Sequence, residues 1–428
     1  MSCRRLRAKS GEGEQTAIVL KRAAGHLIVW IGVPLASWLW MISGADVAHG
    51  QVYEKPSGEP EVSLGEFRVT PSLRVAERYD NNIFYASSGK VDDFLTDIAP
   101  KVLITSKGRG VDVAANLGVM WTEYAKNPKL SYFSSNGGLN LDASTLTGRM
   151  LRGLGLKVTE NYYYTKDYPA FAALGGPNPI ASGGIQTNRV TTFGNAAGAT
   201  ASYVLSPRAT VLGGYTNVRT QFSGGTTPLF SSTADLGTVG SEYSLTPSTT
   251  LLSDYFYSRF SFSGDGSLDT HAVDAGARHK FSEDWSADGR VGGTYLPSLE
   301  RLTYNFNVST TKNFSATDVI GRVVRAVGAS GGLAASLSYS TVAQLAVIHR
   351  LTPALTANLA GNYGTTKSVG SSTVDVKSYG VTSGITYALA RWADLFASYS
   401  YYKQESTGTA GISINNTQVT VGITMTWQ

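Results

Sequence analysis

A short unit recurs down the second half of this 428-residue chain: an apolar residue, a small polar residue and a turn former, followed eight or ten positions later by an aromatic. It reads Leu205-Ser206-Pro207 then Tyr215; Leu245-Thr246-Pro247 then Tyr255 and Tyr257; Leu351-Thr352-Pro353 then Tyr363. Looser copies are Leu389-Ala390-Arg391 with Tyr399 and Tyr401, and Phe281-Ser282-Glu283 with Tyr295. Successive copies lie 40, 36, 70 and 38 residues apart, so the longest interval has room for one degenerate copy. A period of this length means that one structural unit is reused.

The residues after each turn alternate. Ala393, Leu395, Ala397, Tyr399 and Tyr401 share one parity, while Asp394, Ser398 and Ser400 share the other. Alternation at period two is a strand with two different faces. At a rise of about 3.3 Å per residue and a tilt of about 45°, eight to ten residues climb roughly 19–23 Å. That height is close to the roughly 25 Å apolar band of an outer-membrane barrel, whose edges carry aromatic girdles. A soluble β-sandwich or solenoid has the same alternation. The match of heights favours an all-β, transmembrane antiparallel up-and-down barrel, with turns at one interface and the tyrosines at the other.

The start of the chain agrees. Arg4, Arg5, Arg7, Lys9, Lys21 and Arg22 precede an apolar run over 27–42, and Ala48-His49-Gly50 follows. Basic, apolar, then small residues is the order of a secretory signal peptide. As a membrane anchor the run is short, because a helix needs about 20 residues to span. The chain thus divides into a cleaved signal peptide over 1–50, a short periplasmic tail over 51–65 and a barrel over 66–428. The single cysteine, Cys3, falls in the leader, so thiol catalysis and an internal disulfide are excluded for the exported chain. Without the leader, 30 Lys+Arg face 28 Asp+Glu, and no basic cluster invites nucleic acid. Charged residues are only 16% of the chain, as expected when half of each strand faces lipid.

The alternation predicts strands near 67–78, 93–106, 111–124, 131–143, 149–165, 186–205, 208–222, 233–245, 249–262, 269–281, 285–296, 333–350, 354–366, 373–389, 393–404 and 412–427. Two poorly defined strands fall between 299 and 330, giving about 18, or 16 if they merge. Even numbers suit bacterial barrels. Short turns are expected at the periplasmic end, and longer loops outside, the longest over 169–185. In the last strand Val419, Val421, Ile423, Met425 and Trp427 alternate with Thr420, Gly422, Thr424 and Thr426. The set Thr420, Gly422, Met425 and Trp427 resembles the C-terminal signal read by the barrel-assembly machinery, with Gln428 as one extra residue.

The first strands resemble a more specific group. Pro71-Ser72-Leu73-Arg74-Val75 leads to Tyr79-Asp80-Asn81-Asn82-Ile83-Phe84, then to Asp92-Asp93-Phe94, Ile98-Ala99-Pro100 and Lys101-Val102. This resembles outer-membrane beta-barrel porins associated with exopolysaccharide operons. The resemblance implies a barrel and a link to polysaccharide export, and it transfers no catalytic or binding residue. Asp80-Asn81-Asn82 offers oxygen ligands, but three adjacent residues make no Ca²⁺ cage, and Asp and Asn favour turns by local hydrogen bonding.

Parity places Asp112, Asp142, Lys157, Asp254, Asp274, Arg278, Arg290 and Asp394 inward, as a selectivity surface or as paired charges filling a blocked lumen. Tyr215, Tyr255, Tyr257, Tyr363, Tyr399, Tyr401 and Trp427 form the expected aromatic girdle. His271, His279 and His349 match no metal spacing, and no nucleophile motif occurs. The reading is a bacterial outer-membrane channel, not an enzyme, without cofactors. It passes small hydrophilic solutes or assists exopolysaccharide export, with outer-membrane lipid and the barrel-assembly machinery as partners. The alternative is a closed structural or adhesive barrel whose outer loops bind a partner.

Overall fold

The computed structural model describes residues 62–108, 110–166, 189–224, 229–264, 266–329, 332–369, 374–408 and 413–427. The leader and most of the tail, the 169–185 loop and Gln428 lie outside them.

Among the described residues nineteen strands form in chain order. They are β1 (Val62–Leu64), β2 (Phe67–Asp80), β3 (Asp93–Lys107), β4 (Asp112–Tyr124), β5 (Tyr132–Asp142), β6 (Leu154–Thr165), β7 (Thr191–Ser206), β8 (Ala209–Ser223), β9 (Ser232–Thr246) and β10 (Thr249–Phe262). There follow β11 (Ser267–Ser282), β12 (Trp285–Leu296), β13 (Arg301–Asn313), β14 (Thr317–Ala329), β15 (Leu337–Arg350), β16 (Leu355–Ser368), β17 (Asp375–Ala390), β18 (Ala393–Ser406) and β19 (Ile414–Thr426). Every neighbour pair from β2 to β19 is antiparallel, and β19 returns to β2 with Val421 opposite Glu77. Eighteen strands therefore close on themselves. Closure is what lipid demands, because each backbone group unsatisfied there costs several kcal/mol. Tiny β1 continues the β19 edge of β2 downward, with Val62 opposite Val69.

The uncertain pair resolves into β13 and β14, which settles the count at 18. Their turn, Phe314-Ser315-Ala316, is the degenerate copy: it lies 33 residues after Phe281 and 37 before Leu351. No tyrosine follows it on β14. Instead the Arg325 guanidinium sits 4.2 Å from the ring centroids of both Tyr304 and Tyr339, supplied by the two flanking strands.

One expected strand is corrected. Residues 149–165 do not start as a strand; Ser144–Met150 is a helix, α1, in the periplasmic β5–β6 connection. Asp142 Oδ1 accepts the Ser144 N–H at 2.9 Å and Leu151 N–H bonds Thr147 O at 2.8 Å, so local hydrogen bonding turns the chain before β6 begins. The rule of short periplasmic turns has this exception. No helix among the described residues is long and apolar enough to cross a membrane.

The outward face is apolar and open: Val239 is 64% exposed, Val291 65% and Leu302 71%, which is lipid contact rather than a packed core. Charges appear on this face about one strand height up. Glu77, Arg219, Arg259 and Lys403 each lie ten residues above the periplasmic start of their strands. At about 2.3 Å of height per tilted residue this marks a band of roughly 23 Å. Two charges lie lower: Arg325 on β14, eight residues above Thr317, over its two tyrosine rings, and Glu160 on β6, six residues above Leu154, where it accepts a hydrogen bond from Asn195 Nδ2 at 3.2 Å.

Candidate functional site

The inward face carries polar side chains on two walls. On β9–β14, Arg290 is only 6% exposed, and its guanidinium lies between Asp254 (Nε to Oδ2, 3.3 Å) and Asp288 (NH1 to Oδ1, 3.8 Å). Arg278 joins Asp288 at 3.4 Å and Glu242 at 3.6 Å. Asp254 and Asp274 face one another directly across β10 and β11. Two carboxylates in that register repel. The pair is held because Arg290 reaches the first, while Asn305 Nδ2 donates to the second at 2.6 Å. The Asp274 side chain lies where a Cβ on Gly292 would be, so a glycine there is a matter of space.

On the opposite wall, Arg78 Nε lies 3.2 Å from Asp97 Oδ2, and Thr122 Oγ1 donates to Asp97 Oδ1 at 2.7 Å. Arg74, on the same face of β2, stacks its guanidinium 4.6 Å from the Phe396 ring of β18. Toward the periplasm, Asp112, Asp142 and Lys157 share one row of the sheet, with Lys157 Nζ 3.3 Å from Asp142 Oδ2. Asp394 is the second residue of β18, opposite Thr424.

The structure thus brings Asp254, Asp274, Arg278 and Arg290 into one network. Asp142 and Lys157 form a separate pair beside Asp112, and Asp394 stands elsewhere on the wall. Glu242, Asp288 and Asn305 belong to the network but escaped the sequence reading. The signal was available: Asp288 is two residues before Arg290, and Glu242 shares the parity of Gly240, which packs on Asp254.

Tyr215, Tyr255, Tyr363 and Tyr399 are 39–44% exposed on the outward parity, with Tyr257 and Tyr401 beside them. Trp427 is at the other rim, its backbone N–H donating to Pro71 O at 3.0 Å. Gly422 packs tightly: an added Cβ would meet Val75 O at 2.5 Å and the Phe396 ring at 2.6 Å. His271 and His279 also face outward, bonded through Nδ1 to Tyr255 and Thr249 at 2.8 Å each. Among the described residues no group of three or more His, Cys, Asp or Glu is arranged to hold a metal ion.

Asp80-Asn81-Asn82 locks the outer end of the closing seam. Asp80 Oδ1 accepts from Asn82 N–H and Asn416 Nδ2, and Oδ2 from Gln418 Nε2, each at 2.8 Å. Asn82 Nδ2 donates to Ala86 O and Asn415 O, and Asn81 Oδ1 accepts from Thr417 N–H. These oxygens are engaged by a turn and by β19, which explains the motif without an ion.

Residues 55–148 and 311–427 match the family described as "Putative beta-barrel porin 2". Among solved structures, the chain is similar to Pseudomonas aeruginosa OccK3 (OpdO), at 13% identity over 84% of this chain and 96% of that one, with a TM-score of 0.44. It is similar also to OccK2 (OpdF) from the same organism, at 12% identity over 84% and 98%, with a TM-score of 0.43. No functionally curated protein matches it. The two family-matched segments span β2–β5 and β14–β19 and meet at the β19–β2 seam of one closed 18-strand barrel, which makes the chain an outer-membrane β-barrel of porin type.

Proposed function

We propose that this barrel is a channel for passive passage of small hydrophilic solutes across the outer membrane. The observation that carries the reading is the inner face. A barrel of this strand number is wide enough for an aqueous path, and charged and amide groups from both walls reach inward where they bias which ions pass. In this reading Asp112, Asp142, Lys157, Asp254, Asp274, Arg278, Arg290 and Asp394 line the route. Because both signs are present and mostly paired, selectivity is weak. The outward tyrosines and Trp427 hold the barrel at the two interfaces, since amphipathic rings favour that boundary. The barrel is not an enzyme on this account.

Liposome swelling tests the reading. Proteoliposomes should swell in small sugars and amino acids at rates that fall with solute size. Swelling no faster than protein-free liposomes would favour the closed adhesive barrel. A link to exopolysaccharide export rests on the resemblance of 71–102 alone, and polysaccharide release unchanged by deletion of the gene would remove it.

A further inference from the structure

The outer mouth is not uniformly open. The β14–β15 connection leaves its own strands and reaches the β8–β9 hairpin, where Phe230 N–H donates to Gly332 O at 2.9 Å. The Phe222 ring packs against Gly332 so closely that a Cβ there would lie 2.5 Å from it, and Gly332 has φ +84°, a conformation that favours glycine. Four strands separate β9 from β14. At about 4.8 Å per strand the wall between them is roughly 24 Å long, so the contact bridges the mouth as a chord.

The other end is tied down as well. Ala334 is buried with Val374 and Val376 beside Leu333, and Val369 N–H donates to Leu337 O at 2.9 Å. On the spanned sector, inward side chains at the outer ends of β10 and β12 are packed away: Phe260 and Phe262 are 6% exposed and Leu296 0%, in one cluster with Ala234, Leu337 and Val369. Inward-facing phenylalanines at a channel mouth meet water unless something covers them, and burying such surface is favourable by about 25 cal/mol per Å².

We propose that residues 332–337 are a fixed strap that closes the sector of the mouth over β10–β13, so that solutes enter through the remaining sector, from β18 round to β7. The proposal rests on the channel reading and adds what sets its size limit. Phe222 and Gly332 are its fastening. The buried network of Asp254, Asp274 and Arg290 lies beneath it, on the same wall, as the floor of the closed sector.

Cysteine accessibility tests the strap apart from conduction. In a Cys3→Ser background, Ser258→Cys sits under the closed sector, where Ser258 is 7% exposed, and Asn136→Cys sits on the inner face of β5 in the open sector. With a bulky, membrane-impermeant maleimide added outside, Asn136→Cys should label and Ser258→Cys should stay protected. Phe222→Ala or Gly332→Val, checked for heat-modifiable migration, should remove the protection, and single-channel conductance should rise with it. Equal labelling of both sites in the native strap would overturn the proposal. So would protection of Ser258→Cys that survives both strap variants in folded barrels. If labelling behaves as expected but no variant conducts, the channel reading fails and the strap stands.

Discussion

Arg290→Met isolates what the buried network contributes. Methionine keeps much of the volume and removes the cation. Asp254, 3.3 Å from Arg290 Nε, loses that partner while still facing Asp274 on the adjacent strand β11. Asp288 keeps Arg278 at 3.4 Å. Breaking a buried pair by deleting one partner costs about 3–5 kcal/mol. One side of this site borders the lumen and one carboxylate keeps a second cation, so the expected loss is about 2–3 kcal/mol, below that range. Reversible urea unfolding of the barrel in liposomes reads it as a shift of the midpoint at unchanged slope. Adding Asp254→Asn removes the stranded charge and should recover at least about 1 kcal/mol, because contacting residues do not behave additively. A single-variant loss under about 0.5 kcal/mol, or two effects that simply add, would mean that the network is solvated and stabilises nothing.

Three further perturbations have defined outcomes. Asn82→Ala deletes the bonds to Ala86 O at 2.8 Å and Asn415 O at 3.0 Å, so it should lower protection of the outer β2–β19 seam by about 1–3 kcal/mol in amide exchange, and unchanged protection contradicts the locking role. In the β11–β12 turn, hydrogen bonds from Lys312 and Ser282 hold the Asp284 carboxyl down to about 2. A depressed folded value stabilises above the ordinary carboxylate range and is lost as pH falls through about 2; Asp284→Asn should flatten the acid limb of the unfolding midpoint, and identical limbs refute the pairing. Trp427→Ala should slow insertion into liposomes carrying the barrel-assembly machinery while leaving detergent refolding near native, and equal rates in both would remove the C-terminal signal reading.

Much of the architecture is written locally. Period-two alternation and the Leu-Thr-Pro turns specify strands and their outward tyrosines, because both act within a few residues. The β13–β14 pair was legible only as uncertain, since Arg325 stands where the repeat calls for an aromatic and borrows its rings from neighbouring strands. Helix α1 was missed although Asp142-x-Ser144 is a usable turn signal, because Met150 shares the parity of Leu154, Leu156 and Val158 and extends the alternating pattern back toward it. Parity says which charges of a strand share a face, but not their partners: the Arg290–Asp254 ion pair skips over β11, and no spacing along the chain encodes that distance. The strap was invisible for the same reason. Gly332 reads as an ordinary loop glycine until Phe222, 110 residues earlier, packs against it.

On this reading the closed 18-strand barrel keeps a water path beside its strapped sector. Single-channel recording of the folded protein in a planar bilayer tests it most directly. Stepwise currents are expected at both polarities, with a reversal potential near zero in a salt gradient, because the inner face carries both signs. Protein that migrates as a heat-modifiable, folded barrel yet passes no current at any voltage would contradict it.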